Sequence, residues 1–224
     1  MYPLRCPLCD RALPHGQEGF CEACKKNIHY IRGPICLKCG RPVDIDVSIC
    51  MECEKHPHEF ISGRAAMRYS ETQEAIYRLK YMNRIAYAKV FGEVMAAELG
   101  SWLKALEPDA LIPVPLHTRR LIKRGYNQAE ELARELSLKT GITLRATAVA
   151  RVKNTKPQKN YDLKRRKINV KKAFIVRENV VNLKTVVLVD DIFTTGSTVD
   201  SLARELKAAG VQKIYFVTLA MAGT

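Results

Sequence analysis

Residues 186–198 read VVLVDDIFTTGST, and this run decides how the chain is built. Val186, Val187, Leu188 and Val189 form a continuous apolar stretch, the pattern of a parallel strand buried on both faces. Asp190 and Asp191 follow at its carboxyl end, where open α/β sheets bind their ligands. Two adjacent carboxylates beside a hydrophobic core repel each other and lose hydration, so they need something there to engage. Thr194, Thr195, Gly196, Ser197 and Thr198 then form a turn before a helix expected to start near Thr198. Backbone N–H groups at such a start face an anion, and Gly196 permits close approach with positive φ. The hydroxyls add donors. Acids beside an anion hole call for a ligand with both hydroxyls and a phosphate; ribose 5-phosphate is the obvious candidate.

Working outward, strands and helices alternate. GRAAMRYS (63–70) reads as a short strand, and SETQEAIYRLKYMN (70–83) as a helix with Ser70 at its N-cap. AKVFGEVMAAELGSWLKAL (88–106) is a second helix, with Val90, Val94, Leu99 and Leu103 among its apolar positions. DALIPVPL (109–116) is strand-like until its prolines, and NQAEELARELSLKTG (127–141) is an amphipathic helix ended by Gly141. STVDSLARELKAAG (197–210) is a helix closed by Gly210, and KIYFVTLA (213–220) is another strand. The expected fold class is α/β, a parallel sheet flanked by helices. Neither G-x4-G-K-[ST] nor G-x-G-x-x-G occurs, so nucleotide hydrolysis and hydride transfer lose support.

The first 60 residues have a different chemistry. All eight cysteines fall there in four C-x2-C pairs: Cys6/Cys9, Cys21/Cys24, Cys36/Cys39 and Cys50/Cys53. Two such pairs complete a tetrahedron around Zn2+, so four pairs suit two structural zinc ions. Disulfides are disfavoured in a chain that shows no secretion signal, and a redox C-x-x-C does not normally recur four times. The pattern reads as a double zinc ribbon over residues 1–60, followed by an α/β domain over 61–224. Sequential and crossed ligand pairing both remain open. His56 and His58 trail the last pair and offer substitute ligands, but with eight thiols at hand they read as linker residues. With few large apolar groups in the ribbon, metal is expected to supply most of its folding energy, about 10–16 kcal/mol per site.

Charge is distributed as unevenly as cysteine. The first 60 residues balance, with eight basic and eight acidic side chains, so the formal +14 lies wholly in the remainder. RVKNTKPQKNYDLKRRKINVKK (151–172) carries ten basic residues and one acid, and HTRRLIKR (117–124) four and none. A charge run is usually a solvated face. Concentration into two stretches, read as loops, points instead to an anionic ligand or nucleic acid. No apolar stretch reaches the length of a membrane span, so no insertion into a bilayer is expected.

The opening stretch resembles the signature of type I phosphoribosyltransferases: four apolar residues, two acids, two intervening residues, then a hydroxyl-and-glycine loop. The resemblance implies that Asp190 and Asp191 engage ribose hydroxyls, and that Thr194 to Thr198 cradle the 5-phosphate of phosphoribosyl pyrophosphate (PRPP). A narrower resemblance covers nearly the whole chain, to the ComF-like competence proteins, also called ComFC or GntX-like. LKYMNR (79–84), IPVPLHTRRLIKRGYNQAEELAREL (112–136) and TKPQKNYDLKRRKINVKKAF (155–174) match that family's blocks, the last through Thr155, Gln158 and Asn169, with Tyr161 standing where Leu is usual. Pro113 and Pro115 stiffen a turn whose backbone at Leu116 and His117, with Arg119, is expected to meet pyrophosphate oxygens. Mg2+ is expected to bridge pyrophosphate and ribose. RVKNTKPQ is expected to be the mobile loop that closes over the site.

The resemblance implies a cytoplasmic protein handling single-stranded DNA in natural transformation, beside the inner face of the membrane through partners such as a competence helicase or the uptake machinery. PRPP carries about five negative charges, leaving cations over for a phosphodiester track. Lys164, Arg165, Arg166 and Lys167 are the candidates for that track, with Tyr126 and Tyr161 to stack on bases. The alternative is an active phosphoribosyltransferase of nucleotide salvage, and a third reading makes the site a metabolic sensor beside a partner-docking ribbon.

Overall fold

β5 (Thr185–Phe193) is an interior strand of a four-stranded parallel sheet, with Val186 to Val189 fully buried. The computed structural model describes residues 3–152, 173–177, 180 and 182–223. The sheet runs β1 (Gly63–Arg68), β6 (Lys213–Met221), β5, β2 (Ala110–Pro113). Asp109 sets the start of β5, its Oδ2 accepting from the backbone N–H groups of Lys184 (2.6 Å) and Thr185 (2.8 Å). The register pairs Pro113 with Val189 and Asp190 with Thr218, so β2 ends one residue short of the acids. β5 itself continues through both acids to Phe193, because β6 continues the ladder as far as Met221.

Helices cover both faces. α3 (Tyr69–Tyr81), α4 (Tyr87–Ala105) and α6 (Gln128–Thr140) bury Leu79, Phe91, Met95 and Leu132 against Val187 and Val189. α7 (Ser197–Ala208) buries Leu202 and Leu206 against Val186 and Leu188 on the opposite face. Strand alternation divides β5 between these two cores. From β2 the chain passes through α6 to Leu144, which bridges Leu111, whereas α7 leads from β5 to β6. Winding therefore reverses between β2 and β5, and their carboxyl ends frame the crevice expected at such a switch.

Three sequence expectations change. α3 begins at Tyr69 with Arg68 as its N-cap, because β1 runs straight into it; Ser70 lies in the first turn and caps nothing. HTRRLIKR is largely a helix, α5 (Thr118–Arg124), closed by Gly125 in the left-handed region, and not a loop. Tyr126 is no stacking residue: it is buried, and its hydroxyl donates to the Leu79 carbonyl. A short antiparallel pair, β3 (Val149–Arg151) with β4 (Phe174–Val176), flanks the second basic stretch. Thr155, Gln158, Tyr161, Lys164, Arg165, Arg166, Lys167 and Asn169 lie outside the described residues, as does most of RVKNTKPQ.

The cysteine-rich segment, with α1 (Glu22–Lys25) and α2 (Met51–Lys55), is built into both cores. Leu13 and Phe20 join the α3–α4–α6 core, while Cys36, Cys39 and Cys50 join that of α7. Metal is thus not alone in holding this segment. Arg32 grips Glu98 through two hydrogen bonds (2.9 and 2.6 Å), and Ile31 N–H donates to the Ala66 carbonyl (2.9 Å). Backbone meets backbone at Gly40, where an added Cβ would overlap the Gly63 carbonyl oxygen and lie 2.9 Å from Arg64 Cα. Gly40 also has φ +76°. Gly40→Ala is therefore expected to destabilise the fold by about 1–3 kcal/mol, read from the denaturant midpoint. An unchanged midpoint would mean that this contact gives way freely.

Candidate functional site

The thiols gather in sequential pairs, Cys6, Cys9, Cys21, Cys24 and Cys36, Cys39, Cys50, Cys53, with all Sγ atoms of each set within 4.8 Å of one another. A zinc tetrahedron with Zn–S near 2.3 Å has edges of about 3.8 Å. Cys9–Cys21 and Cys39–Cys50 both stand at 3.7 Å. In the second set burial raises the Cys36 thiol, but N–H groups of Cys39, Cys50 and Lys38 outweigh it and bring it to about 7. Burial pushes Cys39 up to about 12, with the neighbouring Cys36 and Cys50 adding to the rise. Four such thiols ionise together only around a cation, and two four-cysteine sites fit two Zn2+.

His58 is no ligand. Its Nδ1 donates to Asp200 Oδ2 (2.8 Å) while Asp200 Oδ1 accepts from the Glu59 N–H (2.8 Å), tying the linker to the first turn of α7. The ring stacks on Phe60 with centroids 4.5 Å apart. It also lies beneath the hydroxyl loop: a Cβ on Gly196 would stand 2.9 Å from His58 Cε1 and 3.1 Å from Phe193 Cζ. Gly196 takes φ +78° as N-cap of α7, so glycine is required there twice over. Arg41, two residues past Cys39, reaches the same loop, donating to the carbonyl of Thr194 (3.3 Å) and to those of Ala222 and Gly223.

The crevice between β2 and β5 is lined by Asp190, Asp191, Thr198, Val114, Pro115 and Leu116 together with Lys80, Tyr81, Arg120, Arg124, Gln128 and Arg151. Asp191 is 4% exposed and forms an ion pair with Lys80 of α3. Asp190 points to the other face, and its backbone neighbour Asp191 N–H donates to Asp190 Oδ1 (2.8 Å). Burial holds the Asp190 carboxyl well above the usual range, the charge of Asp191 adds to this, and Lys80 opposes it. Burial lowers the Arg151 guanidinium, Arg120 lowers it further, and Asp190 raises it. Among the described residues four cations surround the acid pair, an arrangement chemically suited to a ligand that has both hydroxyls and anionic groups.

Of the residues singled out in sequence, Asp190, Asp191, Thr198 and Leu116 meet in this crevice. Thr194 and Thr195 are exposed on the turn before α7, Ser197 is exposed as the first residue of α7, and Gly196 is buried. His117 and Arg119 do not line the crevice: the His117 ring caps α5 by accepting from the Arg119 N–H (3.2 Å). Arg120 and Arg124, one helical turn apart, line it in their place. The RGYNQ stretch explains their placement. Arg124 donates to Gln128, and buried Asn127 caps α6 through the Ala129 N–H (3.2 Å) while donating to the Val114 carbonyl (3.1 Å). Lys80, inside LKYMNR, carried no sequence signal for its pairing with Asp191.

Residues 1–54 match the family described as "Double zinc ribbon domain", and residues 108–224 that described as "Phosphoribosyl transferase domain". The chain is 31% identical to "Competence protein F" of Haemophilus influenzae over 99% of its own length and 98% of that protein. It is 30% identical to "DNA utilization protein YhgH" of Escherichia coli K12, covering 95% and 94% of the two chains. To "Competence protein ComFC" of Bacillus subtilis it is 27% identical, over 89% and 84%.

Two measurements test the site. Purified protein should hold two zinc per chain by elemental analysis, and Cys36→Ala should lower that to one; a single zinc in the wild type would refute the double centre. A carboxyl raised by folding contributes its stability in full below its unfolded pKa, about 3.9, and that contribution is lost as pH climbs through the raised folded value. Asp190→Asn should remove that loss and raise the denaturant midpoint of ligand-free protein at neutral pH. A lowered midpoint would show the carboxylate to be structurally required.

Proposed function

The chain belongs to the ComF family of competence proteins, a double zinc ribbon joined to a phosphoribosyltransferase domain, and we propose that it binds PRPP and handles single-stranded DNA during natural transformation. The observation that carries the PRPP reading is the meeting of Asp190 and Asp191 with Lys80, Arg120, Arg124 and Arg151 in one crevice beside the start of α7. The carboxylates accept from ribose hydroxyls. The first N–H groups of α7 have no partner within the helix and face the 5-phosphate with the threonine hydroxyls. The cations take the pyrophosphate. Asp190 and Asp191 would help to hold a hydrated Mg2+ beside bound PRPP, where the ion would supply charge neutralisation.

The DNA reading rests on the names of the relatives and on charge. Arg119, Arg120, Lys123 and Arg124 share α5 without an acid, and the second basic stretch holds more cations than one PRPP needs. Among the described residues no helix is long and apolar enough to cross a membrane. The completeness of the hydroxyl loop and acid pair favours a second reading, phosphoribosyl transfer in nucleotide salvage. Pyrophosphate release with a panel of nucleobases separates the two.

Calorimetric titration of an Asp190→Asn, Asp191→Asn double variant should show PRPP binding abolished, each lost charge-assisted bond costing about 1.5–3 kcal/mol. Unchanged affinity would reject the site. Replacing Lys164, Arg165, Arg166 and Lys167 with Gln should weaken binding of single-stranded DNA of any sequence. It should also flatten the slope of log affinity against log salt by about 0.7 per lost phosphate contact. An unchanged slope would assign that charge to PRPP or to solvation.

A further inference from the structure

We propose that Tyr77 and Tyr81, with Arg124 laid over the second ring, form a stacking platform for an unpaired base of single-stranded DNA at the rim of the crevice. The proposal rests on the DNA-handling reading and says where the bases go. Both rings sit one turn apart on α3, centroids 5.0 Å apart and tilted by 48°, yet they are 55% and 64% exposed. A pair at this spacing steadies the helix only slightly and leaves most of its aromatic surface in water. The Arg124 guanidinium carbon lies 5.2 Å from the Tyr81 centroid and is held there by its hydrogen bond to buried Gln128. The platform is thus braced from one side and open on the other.

Binding a strand without sequence preference takes exposed aromatic faces beside a run of cations. Here α5 supplies Arg119, Arg120, Lys123 and Arg124, and Tyr81 lines the crevice together with Arg120 and Arg124. The acids of α3 near the rings are engaged elsewhere: Glu71 with His29 (3.1 Å) and Glu74 with Arg78 (3.3 Å). A polyanion therefore meets cations without a facing carboxylate on α5. Duplex DNA keeps its base faces stacked, so only an unpaired base reaches these rings. The exposed side chains of Met82 and Ile85 nearby would suit an apolar protein partner, but the charge of α5 favours the nucleic acid.

The test is anisotropy of a labelled oligothymidylate with the full chain, across a salt series, using Tyr77→Ala with Tyr81→Ala and the matching Phe pair. Zinc content and denaturant midpoint confirm that each variant is folded. The Ala pair should bind about tenfold or more weakly with an unchanged salt slope, since bases and not phosphates lose their partner. The Phe pair should bind as the wild type does, and an abasic strand of equal length should bind wild type and Ala pair alike. Wild type and Ala pair binding the oligonucleotide equally would overturn the platform and leave the DNA reading to another surface. Failure of the wild type to bind it would overturn the DNA reading and the platform with it. Displacement of the strand by a free nucleobase would assign the rings to an acceptor pocket and equally overturn the proposal.

Discussion

Everything around the crevice answers to two carboxylates placed in a strand buried on both faces. Alternation sends Asp191 to the side of Val187 and Val189 and Asp190 to the side of Val186 and Leu188, so the two charges leave the strand on opposite faces. On the first side α3 delivers Lys80 to Asp191. On the second, burial and the like charge of Asp191 raise the Asp190 carboxyl, and the charge of Lys80 offsets them only in part. Removing a lone partner from a buried charge is far costlier than removing an exposed pair. α3 and β3 thus bring the cations Lys80 and Arg151 to the acids as well as apolar side chains to the cores.

The ribbon is tied into the same arrangement. Its halves feed different cores, Phe20 into one and Cys36, Cys39 and Cys50 into the other. From the second half, Arg41 holds the carbonyl of Thr194, and the linker's His58 lies under Gly196 and bonds Asp200. The hydroxyl loop thus stands on a floor made by the cysteine-rich segment. The second four-cysteine set, which fits Zn2+, stands in the same segment as the residues that brace the loop.

The RGYNQ stretch shows how closely packed the information in a short motif is. Arg124 reaches Gln128 and Tyr81, Gly125 ends α5 with positive φ, Tyr126 anchors to the Leu79 carbonyl, and Asn127 starts α6 while holding the Val114 carbonyl. Read as a sequence, Tyr126 looked like a base-stacking residue. Its burial and its bond to the Leu79 carbonyl make it a strut, and the exposed rings are those of Tyr77 and Tyr81.

What the sequence by itself determined was whatever depends on local spacing. A run of four apolar residues, a glycine before a helix and four C-x2-C pairs are short-range patterns. They were enough to place the parallel strand, the left-handed turn at Gly196 and ligands for two metal ions. Helix α6, with Asn127 and Gly141 at its ends, was legible for the same reason. The tertiary structure alone decided what depends on which faces meet. It set sequential pairing of the thiol sets, the position of Arg120 and Arg124 along the crevice, the pairing of Lys80 with Asp191 and the burial of Tyr126. Each of these turns on side chains far apart in the chain. Periodicity says that a residue points inward without saying what it will meet, and the meeting is settled only when both faces of the sheet are packed.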